Sequence, residues 1–339
     1  MNRTTKYILK KFMETFNPIF FSLFFIVSIV YFIKISQITA IVKITFFEIG
    51  ELYIFFLPRI ILYTFPVVFF IAIAISLLKM SKDNEINVIF SFGYSPKTMM
   101  KIFLNLSIAA TFFLLLNSII LIPLSIQLYK NFIDIKKAEA SLNIKAMEFG
   151  QKISNWVVFI NKSNKKNSFS NVILYSKQNN KENFILAKTA HIDNKNHNLK
   201  LILQNGKAFV IKKGNIKQID YKQMTIFNKI HSSIFAQQGI WYYWKQIPKN
   251  KGRAKDFANY VIISIFPLLG FLLAISLGIY NPRYENKNIY LNLFITVLAY
   301  YVSMYFFISI NPWIALIITP ITTFIFSLIF FKIKILKRY

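Results

Sequence analysis

Six stretches of this 339-residue chain are long enough to cross a bilayer and carry no charged residue. Apolar runs of about 18 residues or more mark membrane-spanning helices, because backbone in lipid must satisfy its own hydrogen bonds. Thr15–Ile33, Ile60–Leu78, Ile102–Tyr129 and Phe257–Pro282 are the first four. Asn288–Phe331 is charge-free throughout. As one helix it would be about twice as long as the ~30 Å hydrocarbon core, so it must fold back. Asn311-Pro312-Trp313 is the expected turn: Pro lacks a donor to continue a helix, and Trp suits the interface. The runs divide three and three around a polar, lysine-rich middle. The expected fold is an α-helical polytopic membrane protein with six transmembrane helices and an inserted all-β domain. The expected divisions are a first helical half over residues 1–132, the β domain over 133–256 and a second helical half over 257–339.

Charge distribution gives the orientation. The net charge is +28, from 41 Lys and Arg against 13 Asp and Glu. A balance this basic suits nucleic acid, anionic lipid or an acidic substrate, but Lys, Asn, Ile and Phe are frequent along the whole chain, as coding bias alone would produce. Placement says more, and with six spans nucleic acid is not an expected partner. Arg3, Lys6, Lys10 and Lys11 fall on one side of the bilayer, with Lys79, Lys82, Lys97, Lys101, Arg283, Lys287 and the C-terminal Lys332, Lys334, Lys337 and Arg338. Short segments of the other side hold only Lys34, Lys43 and Arg59. By the positive-inside rule both termini are expected in the cytoplasm and the β domain outside. The basic N-terminus followed by an apolar run resembles a signal peptide, but the run is too long and reads as an uncleaved first span. Pro66 and Pro267 interrupt two spans and are expected to kink them.

Cysteine is absent, which removes disulfides, thiolate metal sites and a cysteine nucleophile. His191, His197 and His231 match no metal spacing. No cofactor, metal or catalytic constellation is expected, and an intramembrane enzyme would need ionisable residues deep in the spans. The middle alternates in short apolar runs: Trp156–Ile160, Val172–Tyr175, Phe184–Ala187, Leu199–Leu203, Ala208–Ile211 and Met224–Phe227. Asn205-Gly206 and Lys213-Gly214-Asn215 read as turns, the first a hairpin signal. Turns at this interval suggest a sandwich, a jelly roll or an open barrel. Exposed strand edges would dock other β modules, unless their lysines serve to block pairing.

The loop between the second and third spans is the sharpest local feature. Ser81 is expected to cap a short helix, with Asp83 and Glu85 at its positive end. Ile86, Ile89 and Phe90 share one face, and Gly93 supplies a left-handed C-cap. Ser95 and Pro96 then start the third span. Such a helix either transmits force from a partner or rests on lipid.

This loop resembles the coupling-helix loop of the LptF/LptG permease family of lipopolysaccharide export. The three-span, β-domain, three-span layout is similar over essentially the whole chain. Ala138-Glu139-Ala140 with Gly150-Gln151 resembles the family's lead into its jelly roll, and Asn281-Pro282-Arg283 looks like the LptF branch. The resemblance implies an inner-membrane permease subunit of an ABC transporter. Its β domain would be a periplasmic, jelly-roll-like module. Its partners would be a cytoplasmic LptB-like ATPase, a second, LptG-like six-span permease, LptC/LptA-like periplasmic jelly-roll proteins and lipopolysaccharide. It assigns ATPase coupling to Asp83, Glu85, Ile86, Ile89, Phe90 and Gly93. It assigns lipid phosphate contact to Lys34, with Lys43 a substitute for the second base missing at Gln37; snorkelling is the alternative for Lys34. The chain has no G-x-x-x-x-G-K-[ST], so active transport would draw its energy from a partner. A membrane-anchored β scaffold that moves no substrate is the competing reading.

Overall fold

The computed structural model of the chain describes residues 3–39, 44–141, 151–153, 156–165, 168–178, 181–195, 198–212, 215–228, 239–280 and 288–336. The helices are α1 (Arg3–Thr39), α2 (Phe46–Lys82), α3 (Glu85–Ser91) and α4 (Pro96–Leu116). A π-helical turn (Asn117–Leu121) continues α4 into α5 (Ile122–Ser141). After the strands come α6 (Ile240–Lys245), α7 (Lys251–Gly278), α8 (Ile289–Ile310) and α9 (Pro312–Phe331). Six of these helical stretches are long and apolar enough to span: α1, α2, α4 through Lys136, α7, α8, and α9 to Ile335. The first three spanning helices outrun their charge-free cores because Lys, Arg and Glu are good helix formers at apolar-run ends. The fourth starts before its core, at Lys251, but ends at Gly278 rather than at Pro282. Two compact units result, one from residues 1–37, 47–126 and 238–339, the other from 38–46 with 127–237.

In the helical unit α7 is the central element. Of its most apolar window 83% is buried, against 17% for α1 and 22% each for α8 and α9, so those three give most of their surface to surroundings outside the chain. The α8–α9 turn falls where Pro312 and Asn311 require it. The Asn311 N–H closes α8 on the Phe307 carbonyl at 3.0 Å, and its Oδ1 accepts the Trp313 N–H at 2.9 Å to open α9. One residue thus ends one span and caps the next.

A polar seam holds α2, α4 and α7 together at the π turn. A π turn breaks the regular hydrogen-bond ladder and offers carbonyls to neighbours. Ser264 bonds the Leu114 carbonyl at 3.2 Å and lies 3.1 Å from Ser118 Oγ. Trp244 Nε1 donates to the Ile119 carbonyl at 2.9 Å, and Asn117 Nδ2 to the Pro58 carbonyl at 2.8 Å. Small hydroxyls and amides are the usual glue between helices where apolar packing discriminates little.

The other unit holds one antiparallel sheet in sequential order: β1 (Gln151–Ile153), β2 (Trp156–Lys165), β3 (Ser168–Gln178), β4 (Lys181–Lys195), β5 (Asn198–Lys212) and β6 (Asn215–Asn228). Val158, Val172, Leu174, Ala190 and Leu203 are buried at its core. The expected hairpin at Asn205-Gly206 is not there. Both residues lie inside β5, which unites the runs Leu199–Leu203 and Ala208–Ile211. The second expected turn lies at residues 213–214, outside the described residues, with Lys212 paired to Asn215 across it.

Asn205 and Gly206 instead mark a crease. Pairing skips Asn171, Lys188 and Asn205 while keeping constant register on either side. Asn171 has φ 53° and Asn205 φ 51°. Asparagine tolerates this left-handed region, which strands do not otherwise visit, so both strands bend along one transverse row. Gly206 is needed for a different reason. A Cβ there would collide with the Leu186 carbonyl and the Tyr221 ring. Tyr221 lies over the glycine and donates to that same carbonyl at 2.8 Å. Burial raises its phenol above the ordinary range. Gly206→Ala is expected to destabilise the β unit by about 1–3 kcal/mol through overpacking. Thermal unfolding of the whole protein followed by far-ultraviolet circular dichroism would reveal the loss; an unshifted β transition would count against the crease.

Candidate functional site

The first candidate site is the junction around α3. Sequence reading placed Ser81 as its cap, but Ser81 is the penultimate residue of α2, buried, and turned toward α7. Its hydroxyl donates to the Gly278 carbonyl at 3.2 Å and accepts the Tyr280 N–H at 3.4 Å. Asn84, in the left-handed conformation, stands before α3 instead. The other end forms as expected. Gly93 has φ +84°, its N–H bonds the Phe90 carbonyl at 3.0 Å, and the Tyr94 N–H bonds the Ile89 carbonyl at 3.3 Å. That pair is a Schellman cap. Ser95 Oγ then accepts the Thr98 N–H at 3.3 Å, with Pro96 opening α4.

The apolar face of α3 is buried in protein rather than left for lipid. Ile86 and Ile89 are buried in the bundle core and Phe90 packs against it. The outward face carries Asn87, Val88 and Ser91, followed by Phe92, which is 80% exposed. Asp83 is exposed beside it. Glu85 is turned inward: its Oε1 accepts the Tyr7 hydroxyl at 2.7 Å and lies 3.6 Å from Lys11 Nζ, both on α1. Sequence reading missed Tyr7 altogether. Its only local signal is its place one helical turn before a lysine, on the flank of Ile8 and Phe12.

At the far end of α1, Lys34 is exposed, with Nζ 4.7 Å from the Tyr31 ring centroid. Tyr31 packs on Phe56 of α2, Phe32 stacks on Tyr53 at 4.8 Å, and Ser28 and Tyr53 share a hydrogen bond of 2.9 Å. The Lys34 ammonium therefore sits on an aromatic platform, and its exposed side is open to an anion. Lys43 lies outside the described residues, as do Gly150, Asn281-Pro282-Arg283, His197 and His231. Ala138-Glu139-Ala140 is helical, within α5. His191 is exposed in β4, and among the described residues no three potential metal ligands cluster.

The second candidate site lies in the β unit, on the crease. A cavity of about 840 Å³ is lined by Phe159, Ile160, Val172, Ile173, Leu186 and Ala187, with Asn171, Lys188, Asn205, Lys207 and Asp220 among its polar lining. Three of these residues, Asn171, Lys188 and Asn205, belong to the row where pairing is skipped. Leu186 is more than one-third exposed although it belongs to an apolar wall. The wall is apolar, and its margin mixes two lysines, two asparagines and the Asp220 carboxylate.

The profile of one protein family, the lipopolysaccharide export system permease LptF/LptG, matches residues 6–333. No curated protein matches the chain. The family match takes in both sets of spans and the β unit between them, and the chain belongs to the LptF/LptG family of lipopolysaccharide export permeases.

Proposed function

We propose that this chain is the LptF-like permease subunit of a transporter that extracts lipopolysaccharide from the bacterial inner membrane. Both termini lie in the cytoplasm and the β domain in the periplasm. A separate LptB-like ATPase docks on α3, a second LptG-like six-span subunit completes the membrane part, and the lipid passes through the β domain to LptC/LptA-like modules. The observation that carries this reading is the construction of α3. It is fixed at both ends, its apolar face is anchored in the bundle, and it presents Val88 and Phe92 outward. A helix so anchored moves with α2 and α4 when a partner pushes it. Asp83 is exposed at this end of the junction, where a basic group of the partner would meet it. Lys34 on its aromatic platform supports phosphate contact, and the β cavity supports acyl-chain passage. The LptF branch rests on Asn281-Pro282-Arg283.

Phe92→Asp tests the docking. Phe92 is a surface residue, so the bundle is expected to fold while association with a co-expressed ATPase falls about tenfold or more, as for loss of an aromatic anchor. Wild-type association of this variant in pull-down would remove α3 from the coupling role. The scaffold reading predicts instead that the β domain on an unrelated membrane anchor restores function.

A further inference from the structure

Resting on that reading, we infer that Tyr7 and Lys11 are positioning residues: through Glu85 they clasp α1 to α3, so that α1 follows the coupling helix. The two sides of α3 are joined differently. Toward α2 and α7 the link is rigid. Asp83 N–H continues the α2 ladder to the Lys79 carbonyl at 3.0 Å, Ser81 is bonded to Gly278 and Tyr280, and the helix backbones meet at Gly278. Toward α1 the link is polar and partly open to solvent. Tyr7 and Lys11 lie one turn apart on the same face of α1, and both reach the same carboxylate oxygen. Glu85 Oε2 is enclosed and makes no hydrogen bond. A carboxylate with one oxygen shared and the other unsatisfied in an enclosed place is incompletely stabilised, so its grip is one that a small movement of α3 can tighten or release.

Helix α1 is the span that packs least against the rest of the chain, with the lowest buried share. Beside the clasp, Ile8 and Phe12 are its buried anchors, Phe12 edge-on to Phe69 at 5.6 Å and to Phe103 at 6.2 Å. The helix runs continuously from Tyr7 to Lys34, a distance of about 40 Å at 1.5 Å per residue. A displacement at the clasp is thereby carried to the end of α1 that bears the candidate phosphate contact.

The test uses the full transporter, with its ATPase and second permease, in proteoliposomes containing lipopolysaccharide. Three quantities are read: ATPase association, ATP hydrolysis rate, and lipid released per ATP hydrolysed. Tyr7→Phe removes one partly exposed oxygen and leaves the ring, so folding is kept. The expected result is wild-type association and hydrolysis with lipid release per ATP reduced about fivefold or more. Lys11→Glu is expected to do the same, and Lys11→Arg, which keeps a cation facing Glu85, to retain a large part of the release, which loss of packing at this position would not explain. Unchanged release per ATP in Tyr7→Phe and Lys11→Glu, with the ATPase bound, would overturn the clasp alone. Failure of the wild-type chain to bind any P-loop ATPase would overturn the underlying reading instead.

Discussion

Gly278→Val is expected to cost the helical bundle about 3 kcal/mol, the upper range for forcing atoms into a packed interior. At Gly278 α7 comes against α2 with nothing between them. An added Cβ would lie 2.6 Å from the Ala74 carbonyl oxygen and 2.7 Å from Leu77 Cβ. The first of these is backbone and cannot rotate away. Shifting α7 to make room would also break the bonds between Ser81 and the Gly278–Tyr280 segment. Gly270 is the internal control. Its nearest neighbour is the Phe70 ring at 3.2 Å, a side chain able to adjust, so Gly270→Ala is expected to be milder. Ser81→Ala should cost only about 1 kcal/mol, as for a lost hydrogen bond. Melting of the detergent-solubilised protein, followed by fluorescence of its tryptophans, gives this order. A Gly278→Val protein that melts like the wild type would mean the two helices do not meet as described.

The second large effect is expected from Leu186→Asp. This side chain lines the β cavity but keeps more than a third of its surface exposed, so the aspartate stays solvated in the empty protein and the fold survives. With an acyl chain in the cavity that carboxylate would lose its water. Burying an unpaired charge costs several kcal/mol, which translates to a loss of lipid transfer of a hundredfold or more. Transfer from proteoliposomes to an added periplasmic acceptor measures it, with Ile216→Asp, an exposed residue of β6 outside the cavity lining, as a control with the same change of charge. Normal transfer through Leu186→Asp would take the cavity out of the lipid route.

What the sequence disclosed and what it withheld divide along physical lines. The spans were legible because hydrophobic length is a property of consecutive residues, and the Asn311 turn because capping acts over two or three residues. Gly93 and Ser95 were legible for the same reason. Ser81 was misread because it sits where an N-cap would, while its partners at Gly278 and Tyr280 are almost 200 residues away in the chain. The contact of Tyr7 with Glu85 is equally non-local. Asn205-Gly206 misled for another reason. Tolerance of positive φ serves a two-residue turn and a mid-strand crease equally well, and only pairing on both sides, Gln204 with Gln223 and Gly206 with Tyr221, distinguishes them. The apolar face of α3 was found by periodicity, but periodicity does not say whether protein or lipid covers it. Glu85 was found by its place in the loop, and its inward turn was not.

We propose that motion delivered to α3 by an ATPase moves lipid into the β domain. A photoreactive amino acid at position 186, in the complete transporter reconstituted with lipopolysaccharide, tests this most directly. A lipid adduct is expected that accumulates with ATP and is lost when the ATPase cannot hydrolyse it. An adduct equally abundant without ATP, or none in a complex that actively hydrolyses ATP, would contradict it.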